Sequence, residues 1–297
     1  MKIIDVHMHF FKVAGFDHLA KLAGMENTAE SYLRACRENG VVMSIAMGNA
    51  RSEKALFGGI TPRVPDLAGS FDYKHYNQPA ELAYCAGVDS EQMNLENAAA
   101  TAQEFERYVK TPQCVGIKIY LGYNRVYAAD PRHFPLYKLA EKYAIPVVFH
   151  TGDLANSMGE LKYAHPLTID EVAVRFPKVK FVIAHCGNPW LLDAIEVANK
   201  NANVYLDFSG LLEGSFDGAA FVQAHKPYFD YIRMWLNYSG RYDKAMYGTD
   251  WPLINLRSNI DVMKQLIPPE HWQEFFYANA LKCFTKLQPL LERLAIS

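Results

Sequence analysis

The feature that most constrains the fold is a regular alternation of short apolar runs with amphipathic stretches along the whole chain. Alternating strands and helices are typical of parallel βαβ units. Continuous apolar runs indicate strands that are buried on both faces of a sheet. The predicted strands are 3–9, 41–47, 82–88, 115–120, 147–150, 181–185, 204–208 and 245–248. The pattern predicts an α/β fold, a distorted (β/α)8 TIM barrel that forms one domain over residues 1–297.

Stretches with apolar residues at helical spacing separate and follow these runs. The predicted helices are 30–38, 95–109, 134–142, 168–176, 190–199, 219–238, 260–266 and 271–287. A doubly wound open sheet is the alternative fold, but the first predicted βα turn lacks the glycine-rich dinucleotide fingerprint. Residues 49–79 are rich in Gly, Pro, Asp and Tyr and are long for a barrel loop. They are interpreted as an insertion over the barrel mouth, either a lid or an ordinary surface loop.

Composition excludes several classes of function. The formal net charge is −2 without a long run of like charges, which argues against nucleic-acid binding and against a polybasic membrane surface. No apolar stretch approaches the roughly 18 residues of a membrane span, and the N-terminus shows no signal-peptide core. The five cysteines are scattered without a Cys-x-x-Cys pair. Reduced thiols in a cytoplasmic protein fit this usage best.

The first predicted strand ends in the sequence His7-Met8-His9. Because strand side chains repeat every two residues, both imidazoles point to one side, roughly 7 Å apart along the strand. Two imidazoles aimed at one point can chelate a divalent metal. Short His-x-His runs also arise by chance, so this pair needs support from elsewhere in the chain.

Polar side chains recur at the C-terminal ends of five predicted strands, where barrel enzymes hold their active sites. They are His7, His9, Lys118, His150, His185 and Asp250. A buried barrel position normally holds Val, Ile or Leu, and an unpaired charge there costs several kcal/mol. Taken singly, each histidine could be a hydrogen-bonded core residue and Asp250 a turn residue. Six such residues at one rim predict a shared metal ion.

Four of these five strand ends lie within motifs that resemble the amidohydrolase superfamily, in the amidohydrolase-related branch that also contains aminocarboxymuconate-semialdehyde decarboxylase. The motifs are DVHMH at 5–9, VFHTG at 148–152, FP at 176–177, FVIAHCG at 181–187, YLDFSG at 205–210 and YGTDWP at 247–252. The resemblance implies one divalent metal, usually zinc, bound by His7, His9, His150 and Asp250. It implies a catalytic role for His185 beside the metal, and a homodimer.

The implied site makes chemical sense. Three imidazoles and a carboxylate plus water suit Zn²⁺ with one open position, and ligand type does not exclude Mn²⁺ or Fe²⁺. Metal-bound water has a pKa of about 7 instead of 15.7. Asp250 can accept the proton of that water, whereas His185 can orient it, stabilise an oxyanion or act as general acid or base.

Lys118 allows two interpretations. In binuclear members of the superfamily, a lysine on the fourth strand is carboxylated and bridges two metals, in which case His185 would bind the second metal. In a mononuclear site, Lys118 would instead contact a substrate carboxylate, which favours an anionic small-molecule substrate. Further candidates for substrate binding follow strand ends and are Arg51, Tyr120, Arg125, Asn188, Trp190 and Trp251. Each of these can equally be an ordinary loop residue.

The resulting hypothesis is a metal-dependent hydrolase that attacks a C–O or C–N bond of a small carboxylated substrate, such as a lactone or a cyclic amide. The alternative is a metal-dependent, non-oxidative decarboxylase of a small unsaturated or aromatic acid, because one ligand set serves both reactions. A binding protein that kept the barrel but lost catalysis is the third hypothesis. It is disfavoured because all the expected ligand positions are filled.

Overall fold

The computed structural model describes residues 1–49, 60–155 and 157–296, and it contains a single parallel sheet. Its strands are β1 (Ile3–Met8), β2 (Val41–Met47), β3 (Leu82–Val88), β4 (Cys114–Tyr120), β5 (Val147–His150), β6 (Phe181–Ile183), β7 (Val204–Asp207) and β8 (Ala245–Met246). The spatial order follows the chain from β1 to β8, and every neighbouring pair is parallel.

The two edge strands meet, so that the sheet nearly closes into a barrel. The amide of Val6 donates to the carbonyl of Tyr247 at 3.0 Å, and the amide of His9 donates to the carbonyl of Trp251 at 2.7 Å. Met8 and Trp251 also form an isolated parallel bridge. Eight parallel strands with helices between them confirm the predicted (β/α)8 barrel.

The α-helices lie between and after the strands. They are α1 (Ala14–Leu22), α2 (Ala29–Asn39), α3 (Ala98–Val109), α4 (Phe134–Lys142), α5 (Leu161–Ala164), α6 (Thr168–Arg175), α7 (Leu191–Lys200), α8 (Gly218–Ala224), α9 (Lys226–Ser239), α10 (Leu256–Leu266), α11 (Asn279–Cys283) and α12 (Leu287–Ile296). The helix predicted over 219–238 is two helices, because Pro227 lies in the first turn of α9, where its missing N–H is tolerated. The helix predicted over 271–287 contains the π-helical turn Glu274–Ala278 and ends at Cys283, because Phe284 leaves helical geometry with φ −99° and ψ 81°.

Successive strand residues pack on opposite faces of the sheet. Val147 and Phe149 of β5 belong to the larger hydrophobic cluster, whereas Val148 belongs to a second cluster that also contains Phe284 and Leu287 of the C-terminal segment. Both faces of the strand are therefore buried, which explains why the strands read as continuous apolar runs. The packing leaves the carboxyl ends of the strands free to carry polar residues.

The described part of the predicted insertion, residues 60–79, packs against the end of β3. Arg63 and Gly87 exchange backbone hydrogen bonds of 3.0 and 2.8 Å, and the ring of Phe71 lies 5.4 Å from that of Tyr84. None of these residues is among the described residues that line a cavity of about 670 Å³ at the carboxyl ends of the strands. Positions 50–59 lie outside the described residues, and a lid over the mouth stays a prediction.

Two general expectations can be compared with the structure directly. All five cysteines are buried and free. In the part of the chain that the structure describes, no helix has both the length and the apolar character needed to cross a membrane.

His133 makes the stability of the fold dependent on pH. It is fully buried beside the hydroxyl of Ser90, with 2.9 Å between Nε2 and Oγ, and burial lowers its pKa from 6.5 to about 4. The unfolded chain therefore takes up this proton before the folded protein does. We expect His133 to lower the free energy of unfolding by about 2 kcal/mol as the pH falls from 7 to 5. Urea unfolding of the wild type and His133→Gln measures the effect, and an equal pH dependence of both proteins would contradict it.

Candidate metal centre

Three side chains from the two ends of the chain form a compact cluster at the rim of the barrel. Ligand atoms of His7, His9 and Asp250 all lie within 4.8 Å of one another. His7 lies in β1, His9 follows that strand directly, and Asp250 follows β8. The amide of Asp250 donates to the carbonyl of His7 at 2.7 Å, which fixes the two segments side by side. The near-closure of the barrel thus creates the cluster.

The inward atoms of this cluster lack ordinary partners. Oδ1 of Asp250 lies 3.0 Å from Nε2 of His9 and 3.4 Å from Nε2 of His7, yet neither approach has the geometry of a hydrogen bond. Both Oδ1 of Asp250 and Nε2 of His7 are buried without a hydrogen-bond partner among the described residues. Buried polar atoms are normally satisfied. Two imidazoles and a carboxylate form a donor set that fits a divalent metal ion.

The charge states of the cluster also suit a cation. Burial raises the pKa of Asp250, but the imidazoles of His9, His185 and His7 outweigh it and hold that pKa well below its ordinary value. Burial lowers the pKa of His7 to about 3 and that of His150 well below its ordinary value. At neutral pH His7 and His150 are therefore neutral imidazoles and Asp250 is a carboxylate, which are the forms that bind metals.

His150 and His185 lie next to the cluster and contact each other. Nδ1 of His150 is 3.1 Å from Nε2 of His185, and Nε2 of His150 is 3.0 Å from the carbonyl of Asp153. The ring of His185 lies 4.9 Å from that of His7. His150 is not part of the compact three-residue cluster among the described residues. Its role as a fourth metal ligand, and the catalytic role of His185, stay predictions.

β6 is shorter than predicted, and this shift places His185. The strand ends at Ile183, and Ala184–Gly187 form a 3₁₀ turn in which His185 and Cys186 have φ angles of 58° and 46°. Such left-handed conformations are uncommon for residues other than glycine. Nδ1 of His185 lies 3.1 Å from both the carbonyl and the hydroxyl oxygen of Ser209. The turn and these contacts hold the imidazole over the rim.

Sequence reasoning did not assign a role to Asp207, although this residue contacts a candidate ligand. Its Oδ2 lies 2.5 Å from Nδ1 of His7, and both residues are fully buried. A detectable signal was present, because Asp207 is an acidic residue at the end of an apolar strand. The same argument had selected Asp250 and the strand-end histidines.

Gly210 leaves room for the imidazole of His185. A Cβ at this position would lie 2.4 Å from Nδ1 of His185 and 3.0 Å from Oδ2 of Asp250, and the backbone has a φ of +65°. Gly240 is a matched control, since its φ is +64° and a Cβ there would meet nothing within 4 Å. We expect Gly240→Ala to cost about 1–2 kcal/mol of backbone strain and Gly210→Ala to cost more.

The two substitutions should differ more in their effect on metal affinity than in their effect on stability. Gly210→Ala is expected to lower metal affinity and activity at least about tenfold, because the new Cβ displaces the imidazole of His185 and the carboxylate of Asp250. Gly240→Ala is expected to change neither. Thermal unfolding and metal titration of both variants check this. Equal effects of the two substitutions on metal affinity would show that Gly210 has no role beyond its backbone conformation.

A cavity of about 670 Å³ opens above the cluster. Its described lining consists of His7, His9, Phe16, Leu19, Asn49, Lys118, Tyr120, Tyr123, His150, Ala155, His185, Glu213, Asp250 and Leu253. A volume of this size accommodates a small organic molecule. The cavity therefore brings all six predicted strand-end residues to one space, which lies at the carboxyl ends of the strands.

Lys118 is a buried cation in this cavity. It is 0% exposed, and its Nζ has no hydrogen-bond partner in the described parts of the chain. The centroid of the Tyr120 ring lies 5.0 Å from Nζ. Burial lowers the pKa of Lys118 to about 8, although the carboxylates of Asp207 and Asp250 oppose this. The ammonium group remains charged at neutral pH.

The structure separates the other predicted substrate-binding residues. Tyr120 lines the cavity, and Asn188 lines a recess of about 120 Å³ that shares residues with it. Arg125, Trp190 and Trp251 are not among the described lining residues. Arg125 instead pairs with Glu91 and Glu160, Trp190 packs on His165, and Trp251 is fully buried against Tyr32. Arg51 lies outside the described residues.

Several lining residues were missed because they lie on the segments that follow the strands rather than at the strand ends. The ring of Phe16 in α1 stacks 5.2 Å from that of His9, and the ring of Tyr123 lies 4.7 Å from that of His150. Glu213 adds an exposed carboxylate to the cavity lining. Sequence position alone carries no signal for these residues, because their direction depends on how the loops fold back over the barrel.

The model of the amidohydrolase family matches residues 4–285. No curated protein matches the chain. Similar solved structures include a TIM-barrel protein from Bordetella bronchiseptica, with 18% identity, a TM-score of 0.66, and coverage of 97% of this chain and 100% of that one. A probable 2-pyrone-4,6-dicarboxylic acid hydrolase from Acinetobacter baumannii is 17% identical, with a TM-score of 0.62 and coverage of 96% and 100%.

A dihydroxybenzoic acid decarboxylase from Polaromonas sp. JS666, solved with bound manganese, is 16% identical, with a TM-score of 0.61 and coverage of 96% and 97%. At such identities the structural likeness shows the barrel fold alone. The family match covers nearly the whole chain and includes every candidate ligand. This chain is a member of the amidohydrolase family.

Proposed function

We propose that the protein is a metal-dependent hydrolase of a C–O or C–N bond in a small carboxylated substrate, such as a lactone or a cyclic amide. The observation that carries the proposal is that His7, His9 and Asp250 converge on one point. There Nε2 of His7 and Oδ1 of Asp250 are buried without a hydrogen-bond partner among the described residues. Zn²⁺ is the preferred ion for this donor set, and Mn²⁺ or Fe²⁺ would also be accepted. One ion with His150 as a fourth ligand is favoured over two ions bridged by a carboxylated Lys118.

The residues of the chain divide the work in this proposal. A bound divalent ion would supply Lewis acidity and a water of lowered pKa. Asp250 accepts the proton of the attacking water and passes it to the leaving group. His185, held by Ser209 over the rim through Nδ1, orients the attacking water and, in its protonated form, stabilises the developing oxyanion. The ammonium of Lys118 binds the substrate carboxylate, which supplies the partner that its Nζ lacks.

The alternative is a non-oxidative decarboxylase of a small unsaturated or aromatic acid. Aromatic walls favour it, because Phe16 stacks on His9 and Tyr123 lies against His150, so that a planar ring could lie between them. Solved structures similar to this chain include a dihydroxybenzoic acid decarboxylase and a probable 2-pyrone-4,6-dicarboxylic acid hydrolase. Both reactions would use the same metal and the same Lys118 contact.

The five free, buried thiols fit a reducing compartment, and we propose the cytoplasm as the location. Small molecules are the proposed substrates, and neither nucleic acid nor membrane is a proposed partner. A homodimer is proposed as the assembly.

Product analysis separates the two reactions. Protein purified without chelator is assayed for metal content and then given carboxylated lactones and cyclic amides in ¹⁸O-water, together with aromatic and enoic acids. We expect about one ion per chain and ¹⁸O in the carboxyl group of the opened product. Release of CO2 without any hydrolysed product would overturn the hydrolase in favour of the decarboxylase. A metal content well below one ion, unchanged by added Zn²⁺ or Mn²⁺, would overturn both.

A further inference from the structure

We propose that Asp207 is a positioning residue that fixes the tautomer and ring orientation of His7, so that Nε2 is the atom presented to a metal. Asp207 lies outside the candidate ligand set. The inference rests on the proposed metal-dependent function, and it concerns a contact that exists without any ion.

The proton between the two residues can be assigned from geometry. Nδ1 of His7 lies 2.5 Å from Oδ2 of Asp207, a separation that requires a hydrogen bond. A carboxylate offers only acceptors, whereas a neutral imidazole has one N–H donor. The side chains of both residues are at most 1% exposed, so that water does not compete for the bond. The proton is therefore on Nδ1, and His7 is held as the Nδ1–H tautomer.

The consequence is that Nε2 of His7 carries a lone pair and no proton. This atom is buried, and it lies 3.4 Å from Oδ1 of Asp250, which also has no proton to offer as a carboxylate. Two acceptors that face each other without a donor repel, and in the described structure no other group satisfies them. A cation between them resolves the conflict. Without Asp207, the ring could place a proton on Nε2 and bond directly to Asp250.

Asp207 is itself held in place by its surroundings. Its Oδ1 accepts a hydrogen bond of 2.8 Å from the amide of Ser209. Gly248, after the neighbouring strand β8, makes room for the pair, since a Cβ there would lie 2.5 Å from Oδ1 of Asp207 and 3.1 Å from Cβ of His7. The carboxylate therefore has a defined position before any metal binds. Partners of this kind hold metal-bound histidines in other proteins and typically change metal affinity 10–100-fold.

Metal titration tests the energetic consequence. Metal-free wild type, Asp207→Ala and Asp207→Asn are titrated with Mn²⁺, and Tyr205→Phe in the same strand is the control because Tyr205 is not among the described residues that line the cavity. We expect affinity to fall about 10–100-fold in Asp207→Ala, to be partly retained in Asp207→Asn, and to stay within about twofold in the control. Wild-type affinity in a folded Asp207→Ala would overturn the proposal.

Nitrogen-15 NMR of the histidine rings in the metal-free protein tests the tautomer without any metal. We expect His7 to show a protonated Nδ1 and an unprotonated Nε2 in the wild type, and to lose this preference in Asp207→Ala. A protonated Nε2 in the wild type would overturn the proposal even if Asp207→Ala failed to fold. If the wild type bound no metal but showed the expected tautomer, the metal-dependent function would fail while the positioning contact stood.

Discussion

Replacing Asp250 with asparagine is expected to remove metal binding and to lower activity by about 10³-fold or more, while the metal-free protein still folds. Asp250 supplies the only carboxylate of the three-residue cluster formed with His7 and His9. An amide donates weakly to a divalent ion and cannot take the proton of a water molecule. Loss of several kcal/mol of transition-state stabilisation corresponds to a loss of this size.

The substitution should spare the backbone, which makes the test clean. Asp250 has a φ of +63°, and asparagine tolerates the left-handed region as well as aspartate does. Asp261→Asn serves as a control, because Asp261 pairs with Arg257 on the surface of α10. Metal content, turnover and urea unfolding are measured for both variants. An Asp250→Asn protein that bound Zn²⁺ within about tenfold of the wild type would rule out Asp250 as a metal ligand.

The strands of this barrel were predictable, because each one is buried on both faces and so reads as an uninterrupted apolar run. Helix α1 was not predicted, although its sequence is amphipathic, and Ala20 is its only fully buried residue. The helix over 219–238 was predicted as continuous, although Pro227 divides it. Local pattern thus identified the buried strands more reliably than the number and breaks of the helices.

The site was predictable for a related reason. A histidine or a charged residue in an apolar strand conflicts with its surroundings, and that conflict selected His7, His150 and Asp250 from the sequence. The direction in which a side chain points was harder to predict. Trp251 follows Asp250, but its side chain packs in the core against Tyr32. Loops were harder still, because the position of a residue such as Tyr123 depends on distant parts of the chain that the local sequence does not encode.

Replacing Lys118 with methionine should stabilise the metal-free protein and weaken its binding of an anionic ligand. Its pKa is lowered from 10.5 to about 8, so the folded protein holds this proton less tightly than the unfolded chain does. The buried ammonium therefore destabilises the metal-free fold at neutral pH, and this cost disappears as the pH rises from 8 through 10.5. We expect Lys118→Met to raise the free energy of unfolding at pH 7 by about 3 kcal/mol.

Lys244 provides a matched control with the opposite expected sign. It is also buried, but its Nζ donates a hydrogen bond to the carbonyl of Ala202. Lys244→Met leaves that carbonyl without its donor and should lower the free energy of unfolding by about 1–3 kcal/mol. Urea unfolding of the two metal-free variants gives the comparison. A destabilised Lys118→Met would mean that the ammonium of Lys118 has a partner in the folded protein.

An anionic ligand should supply the partner that the buried ammonium of Lys118 lacks, so its binding should depend on this charge. Benzoate and benzamide have the same ring and differ in charge, so they isolate the contribution of an anion. We expect Lys118→Met to weaken benzoate binding about 10–100-fold and to leave benzamide binding unchanged, as measured by calorimetry. Unchanged benzoate affinity in a more stable variant would show that Lys118 destabilises the fold without serving the substrate. An equal loss for both ligands would point to a change in the shape of the cavity rather than the loss of a charge.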